Sequence, residues 1–167
     1  LAFLVVLSAG VMLIDQTASA QENSRKTAKP RLMYNMDYDA FSGGFFGIAS
    51  PENIDKCTKY LASSGITDLF VCVNNQRVNY RSKVWDAMWD GFDPNAGADQ
   101  PFLADLSASE AGTQDQLRSF YNLYKQDCDY PQRMLASARK DHIAGLISIR
   151  MNDCHFGDRP NNPYHSE

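Results

Sequence analysis

Three short polar clusters hold the residue types that do chemistry. The run Arg150-Met151-Asn152-Asp153-Cys154-His155 puts a cation, an amide, a carboxylate and an imidazole within six residues, overlapping the end of the apolar stretch IAGLISIRM. Asp153 can serve there as a general acid or base, or can accept hydrogen bonds from sugar hydroxyls. Strand alternation would aim Arg150 and Asn152 to one side and Asp153 to the other. The plainer reading pairs Arg150 with Asp153 and leaves His155 packed in a loop. A second cluster joins Asn74, Asn75, Gln76, Arg77 and Asn79 to Tyr80, Trp85, Trp89 and Phe92. Aromatic rings beside amides and a guanidinium suit a carbohydrate, the rings covering its apolar C–H face and the polar groups reading its hydroxyls. The alternative for the tryptophans is structural: Trp85 and Trp89, spaced i, i+4 beside Val84 and Met88, would be the buried side of a short helix. The third cluster is Asp37 with Asp39.

Several other chemistries are excluded. His155, Asp158, His165 and Glu167 crowd the end of the sequence but match neither a His-Glu-x-x-His helix nor a calcium loop, and Pro160 and Pro163 mark the segment as extended. No metal is therefore expected, and no cofactor. Gly43-Gly44 lacks the frame of a phosphate-binding loop. The 167 residues carry a net charge of −4, which is wrong for sequence-independent nucleic-acid binding. The four cysteines contain no Cys-x-x-Cys, so zinc-ribbon and thioredoxin-type sites are not expected. They allow three complete disulfide pairings. Cys72, inside an apolar run, reads as a small buried hydrophobe.

The elements that must position these clusters follow a repeating pattern. Residues 31–37 (RLMYNMD) read as a strand. Ser50-Pro51-Glu52 then supplies an N-cap, a first-turn proline and an acidic residue at the positive end of a helix dipole. Ile54, Cys57 and Leu61 continue at helical spacing, and Gly65 supplies the stop. Residues 66–73 (ITDLFVCV) lack polar alternation, as a strand buried on both faces does. A long polar and aromatic connection runs to about Gly112. Leu117, Phe120, Tyr121 and Tyr124 then mark one helical face, and Pro131 opens another helix with Met134, Leu135 and Ala138. Residues 143–151 form the third strand. This alternation predicts an α/β fold with a parallel sheet, in which ligands bind at the carboxyl ends of the strands. All three clusters follow strands at that end, whereas the opposite ends carry the simple turns SSGITD and RKDHIAG.

Residues 1–20 read as a secretory signal: an apolar stretch followed by Ala18-Ser19-Ala20, which fits a signal-peptidase site. Fourteen apolar-rich residues fall short of the roughly 20 that span a bilayer, so stable membrane insertion is not expected after cleavage. The basic n-region is missing, which predicts a truncated start. Residues 21–30 (QENSRKTAKP) read as a flexible lead. The expected location is exported, periplasmic or extracellular, where disulfides can persist.

The runs NNQRVNYRSKVWDAMWDGFDP and SIRMNDCHFGDRPNNPYHSE resemble the first part of the glycosyl hydrolase-like (β/α)8-barrel proteins secreted by bacteria. The resemblance implies that residues 31–167 are the amino-terminal part of a TIM barrel, its first three strand–helix units. It implies a glycan-directed hydrolase, with Asp37, Asn74, Arg77, Arg150, Asn152, Asp153 and His155 lining the cleft. A closed barrel usually takes more than about 200 residues, and a glycosidase needs two carboxyl groups flanking the scissile bond. The main acids are therefore expected beyond residue 167, with Asp153 and Asp37 as substitutes and the fragment inactive alone. Asn74, Asn75, Arg77, Trp85, Arg150, Asn152 and His155 are the expected carbohydrate contacts. A non-catalytic carbohydrate-binding barrel and a metal-dependent barrel hydrolase or isomerase are the alternatives.

Overall fold

The computed structural model describes residues 30–37, 40–41, 45–97, 99–106, 112–151, 154 and 157–165. Asn152, Asp153 and His155 lie outside the described residues, as do Asp39, the signal over 1–20 and all of the lead but Pro30. The chain divides into Leu1–Arg31, of which only Pro30 and Arg31 are described, and Leu32–Glu167, which carries the fold.

That fold is mixed α/β, with three strands and three α-helices in the order β1 (Met33–Met36), α1 (Pro51–Ser63), β2 (Asp68–Cys72), α2 (Gly112–Lys125), α3 (Tyr130–Lys140) and β3 (Ala144–Ser148). A 3-10 turn, Pro101–Leu103, interrupts the long connection after β2. The sheet is parallel, in the order β1-β2-β3, with Met33 opposite Asp68 and Asp68 opposite Ala144.

Local chemistry accounts for the helix ends. The Ser50 hydroxyl accepts from the Asn53 amide at 3.1 Å, and Pro51 opens α1. After α1 the chain turns through Gly65 at φ +82°, a left-handed conformation that a side chain would strain. Asp129 caps α3 by accepting from the Gln132 amide at 2.8 Å, with Pro131 in the first turn. Arg139 and Lys140 stand at its negative end.

The two faces of the sheet differ. Alternation and register put Tyr34, Met36, Leu69, Val71, Gly145 and Ile147 on one face. This is the helix side: a Cβ on Gly145 would come within 2.7 Å of the Leu135 side chain of α3. Met36, Leu69 and Val71 share one core with Ile54, Cys57 and Leu61 of α1 and with Met134 and Ala138 of α3. The other face carries Met33, Asn35, Phe70, Ala144 and Leu146, and Met33 and Leu146 stay 63% and 42% exposed. The expectation of burial on both faces, made for residues 66–73, describes β2, where Asp68, Leu69, Val71 and Cys72 are buried; on the neighbouring strands Tyr34 and Ile147 of the helix side stay exposed as well.

A short helix through Trp85 and Trp89 does not form. The chain there is held by isolated bridges, Asn74 to Val78 and Val78 to Ala87, with the Met88 amide donating to the Val78 carbonyl at 2.8 Å. Trp89 is buried and Trp85 half-buried.

Candidate functional site

Because the strands are parallel, their carboxyl ends share one edge of the sheet. Asp37 directly follows β1, Asn74 lies two positions after the end of β2, and Arg150 two positions after the end of β3. The Arg150 guanidinium donates from Nη2 to Asp37 Oδ2, so one ion pair joins the ends of the two outer strands. The partner that the sequence suggested for Arg150, Asp153, lies outside the described residues. Asp37 and Arg150 keep 43% and 33% of their side-chain surface exposed.

Asn74 sets the position of Arg150. Its amide donates to the Arg150 carbonyl and accepts from the Arg150 amide, both at 2.9 Å. The side chain thus continues the ladder beyond Cys72, satisfying two backbone groups that the end of β3 would leave open. Asn74 is fully buried. The Cys72 thiol donates to the Asn74 carbonyl at 3.2 Å, in keeping with a buried cysteine.

Asn75 and Arg77 close a tight loop: the Arg77 amide donates to Asn75 Oδ1 at 2.8 Å and the Asn75 amide to the Arg77 carbonyl at 3.0 Å. The Arg77 guanidinium reaches the His165 carbonyl at 2.6 Å through Nε and the Asp90 carbonyl at 2.8 Å through Nη1, and lies 5.8 Å from the centre of the Phe102 ring. It ties three loops together rather than presenting its charge at the edge. The Trp85 indole donates to the Gln76 carbonyl at 2.7 Å, and its ring is half-exposed.

Two residues outside the expected set stand close to this edge. Tyr130, the first residue of α3, is buried among Phe41 and Phe120, with ring centres 5.9 and 5.0 Å away. Burial, with the Cys57 and Cys72 thiols nearby, pushes its phenol above the usual range and keeps it a neutral hydroxyl. Arg81 lies across Trp89 and Tyr124. The only sequence signal for Tyr130 was its place just before Pro131, four residues ahead of the core residue Met134.

No disulfide joins any of the four cysteines. Burial pushes the Cys57 thiol up to about 12, which makes it inert. Among the described residues no three His, Cys, Asp or Glu side chains gather as a metal site would require. No helix among them is long and apolar enough to cross a membrane. No protein-family model matches the chain, and no curated protein matches it.

Proposed function

We propose that the chain forms the first strand–helix units of an exported, glycoside hydrolase-like (β/α)8 barrel and holds part of its carbohydrate cleft. The observation that carries this reading is the Asp37–Arg150 pair at the carboxyl edge of the sheet, with Arg150 held in place by Asn74. A carboxylate accepts hydrogen bonds and a guanidinium donates them. Such alternating acceptors and donors complement adjacent hydroxyl groups, and the half-exposed Trp85 ring suits a C–H face.

The exposed Met33 and Leu146, on the face away from the helices, support the barrel. Parallel sheets are ordinarily covered on both faces, and inward side chains of the Met33, Phe70 and Leu146 type fill a TIM-barrel interior in layers. Cleavage by acid/base chemistry needs a second carboxyl group across the scissile bond, a role for Asp153 or for acids on further strands. A non-catalytic carbohydrate-binding barrel is the second reading. Its support is that the described strand-end row Asp37, Asn74, Asn75, Arg77 and Arg150 contains one carboxylate, already engaged by arginine.

A panel of oligosaccharides tests the proposal. The chain is expected to bind at least one of them, and Arg150→Met and Asp153→Asn are each expected to weaken binding or turnover by at least about tenfold, or ~1.4 kcal/mol, with circular dichroism unchanged. Absence of binding across the panel, or unchanged affinity in both variants, would overturn it. Release of reducing ends separates hydrolase from binding module. Export predicts that the mature protein begins at Gln21, which amino-terminal sequencing checks.

A further inference from the structure

Exposed apolar surface is concentrated at the two edges of the sheet. Of the twelve large hydrophobic side chains exposed among the described residues, seven fall within residues 32–34 or 146–151, on β1, on β3 or close beside them. Met33 and Leu146 are exposed on the face away from the helices, Tyr34 and Ile147 on the helix side. Contiguous apolar exposure of this kind marks an interface.

The strands themselves are unprotected. Among the described residues, β1 and β3 each pair on one side only, with β2. An edge strand that stays open ordinarily carries a charge, a proline or a bulge to discourage pairing. Residues 32–36 (LMYNM) and 144–149 (AGLISI) hold no charge and no proline, and both strands keep unbroken register with β2. Charge does not oppose a like partner on the face away from the helices either. Asp68 there is buried and accepts from the Thr67 hydroxyl at 2.6 Å, and Asp37 is paired with Arg150. A face whose charges are already engaged can meet a copy of itself without like-charge repulsion.

Strand direction fixes the arrangement. All three strands are parallel, so the free edge of β3 in one copy can take the free edge of β1 in another with the same direction. A half-turn about an axis along the strands makes two such contacts at once, and head-to-tail contacts that return to the first copy form a closed ring. Both open edges are then covered together, and Met33, Phe70 and Leu146 of the two copies face a common interior. Six strands enclose less space than eight, and the inward face suits that, since the small Ala144 and Ser148 share it with the larger side chains. Pairing β3 with a second β3 alone would leave β1 open.

We propose that a second copy of the chain closes the sheet, β3 of each copy lying beside β1 of the other. Every strand then ends at one rim, which carries two Asp37–Arg150 pairs where one copy has one. This goes beyond the reading above, in which further strands complete the barrel. Use of the second Asp37 as the second carboxyl group of a glycosidase rests on that reading. The closure rests on the exposed edges alone.

Sedimentation velocity on the full chain at micromolar concentration is expected to give one species of twice the chain mass. Met33→Lys and Leu146→Lys each put a charge at an exposed position of one edge strand, and each is expected to raise the dissociation constant at least about tenfold, with circular dichroism unchanged. Val84→Lys, at an exposed side chain outside the patch, is expected to leave it unchanged. Hydrogen exchange needs no variant: the outward amides of both β1 and β3 are expected to lose protection as the wild type is diluted to monomer. A folded monomer, aggregates of no fixed size, or exchange independent of concentration overturns the proposal. So does a dimer that only one of the two edge variants weakens, because the arrangement uses both edges, or one that Val84→Lys weakens as much. A monomer whose oligosaccharide binding depends on Arg150 sinks the closure and keeps the carbohydrate reading. A dimer of the expected kind that binds no oligosaccharide keeps the closure and sinks that reading.

Discussion

Asn74 and Asn79 belong to the same loop after β2, and both are buried, yet their side chains do opposite things. The Asn74 amide uses its donor and its acceptor on the backbone of Arg150. The Asn79 amide uses neither. Arg77 sides with Asn74, its guanidinium committed to the carbonyls of Asp90 and His165. Trp89 and Tyr130 side with Asn79. A polar cluster at the end of a strand therefore contains both side-chain groups paired within the protein and groups left unpaired, and composition does not sort one from the other. What sorts them is whether a buried polar atom has a partner within the protein, because burial without one is a standing cost that a ligand or water can relieve.

Stability measurements can break this contrast. Asn74→Ala removes a partner from both the N–H and the carbonyl of Arg150, and is expected to cost about 2–6 kcal/mol in urea denaturation, at about 1–3 kcal/mol for each group. Arg77→Met keeps the aliphatic stem beside Phe102 but removes charge-assisted bonds, and is expected to cost about 1.5–3 kcal/mol by the same measurement. Asn79→Leu deletes only unpaired atoms, so its effect without ligand is expected within about 1 kcal/mol of zero, on either side. Equal losses for Asn74→Ala and Asn79→Leu would erase the distinction between the two asparagines.

The smallest effect is expected away from both, between α1 and α3. Arg133 hydrogen-bonds Asp55, with N–O distances of 3.0 and 2.6 Å, and holds its carboxyl below the usual carboxylate range. A carboxyl depressed in the folded state adds stability above its unfolded pKa, near 4, and loses that stability as the pH falls through the lower folded value. Both side chains are 43% exposed, so solvent screening limits the contribution to less than about 1 kcal/mol. Asp55→Asn is expected to flatten the acid limb of the stability–pH curve slightly between pH 4 and lower values, and to leave stability at neutral pH almost unchanged.

Much of the fold was legible because its signals are short-range. Ser50-Pro51-Glu52 starts α1 where the cap and dipole rules put it, and Gly65 ends the following turn. The apolar runs 66–73 and 143–151 contain β2 and β3, each slightly shorter than the run itself. The helical spacing of Trp85 and Trp89 misled, because bridges from Val78 to Asn74 and Ala87 organise that stretch as irregular loop. Such bridges join backbone groups whose meeting no local period announces. The site was legible in outline only. The strand-end rule found Asp37, Asn74 and Arg150 but not that Arg150 binds Asp37, a residue 113 positions away, nor that Tyr130 reaches the same neighbourhood from the start of α3.

By itself the sequence determined the alternation of strand and helix and the polar character of the strand ends, since periodicity and capping act within a few residues. Only the tertiary structure decided which of those polar groups are paired within the protein, because a side chain's partners at a sheet edge come from strands and helices distant in sequence. Asn74 and Asn79 are the same amino acid under the same loop propensities. The difference between them is that the end of β3 meets the amide of one, and no group of the protein pairs with the amide of the other.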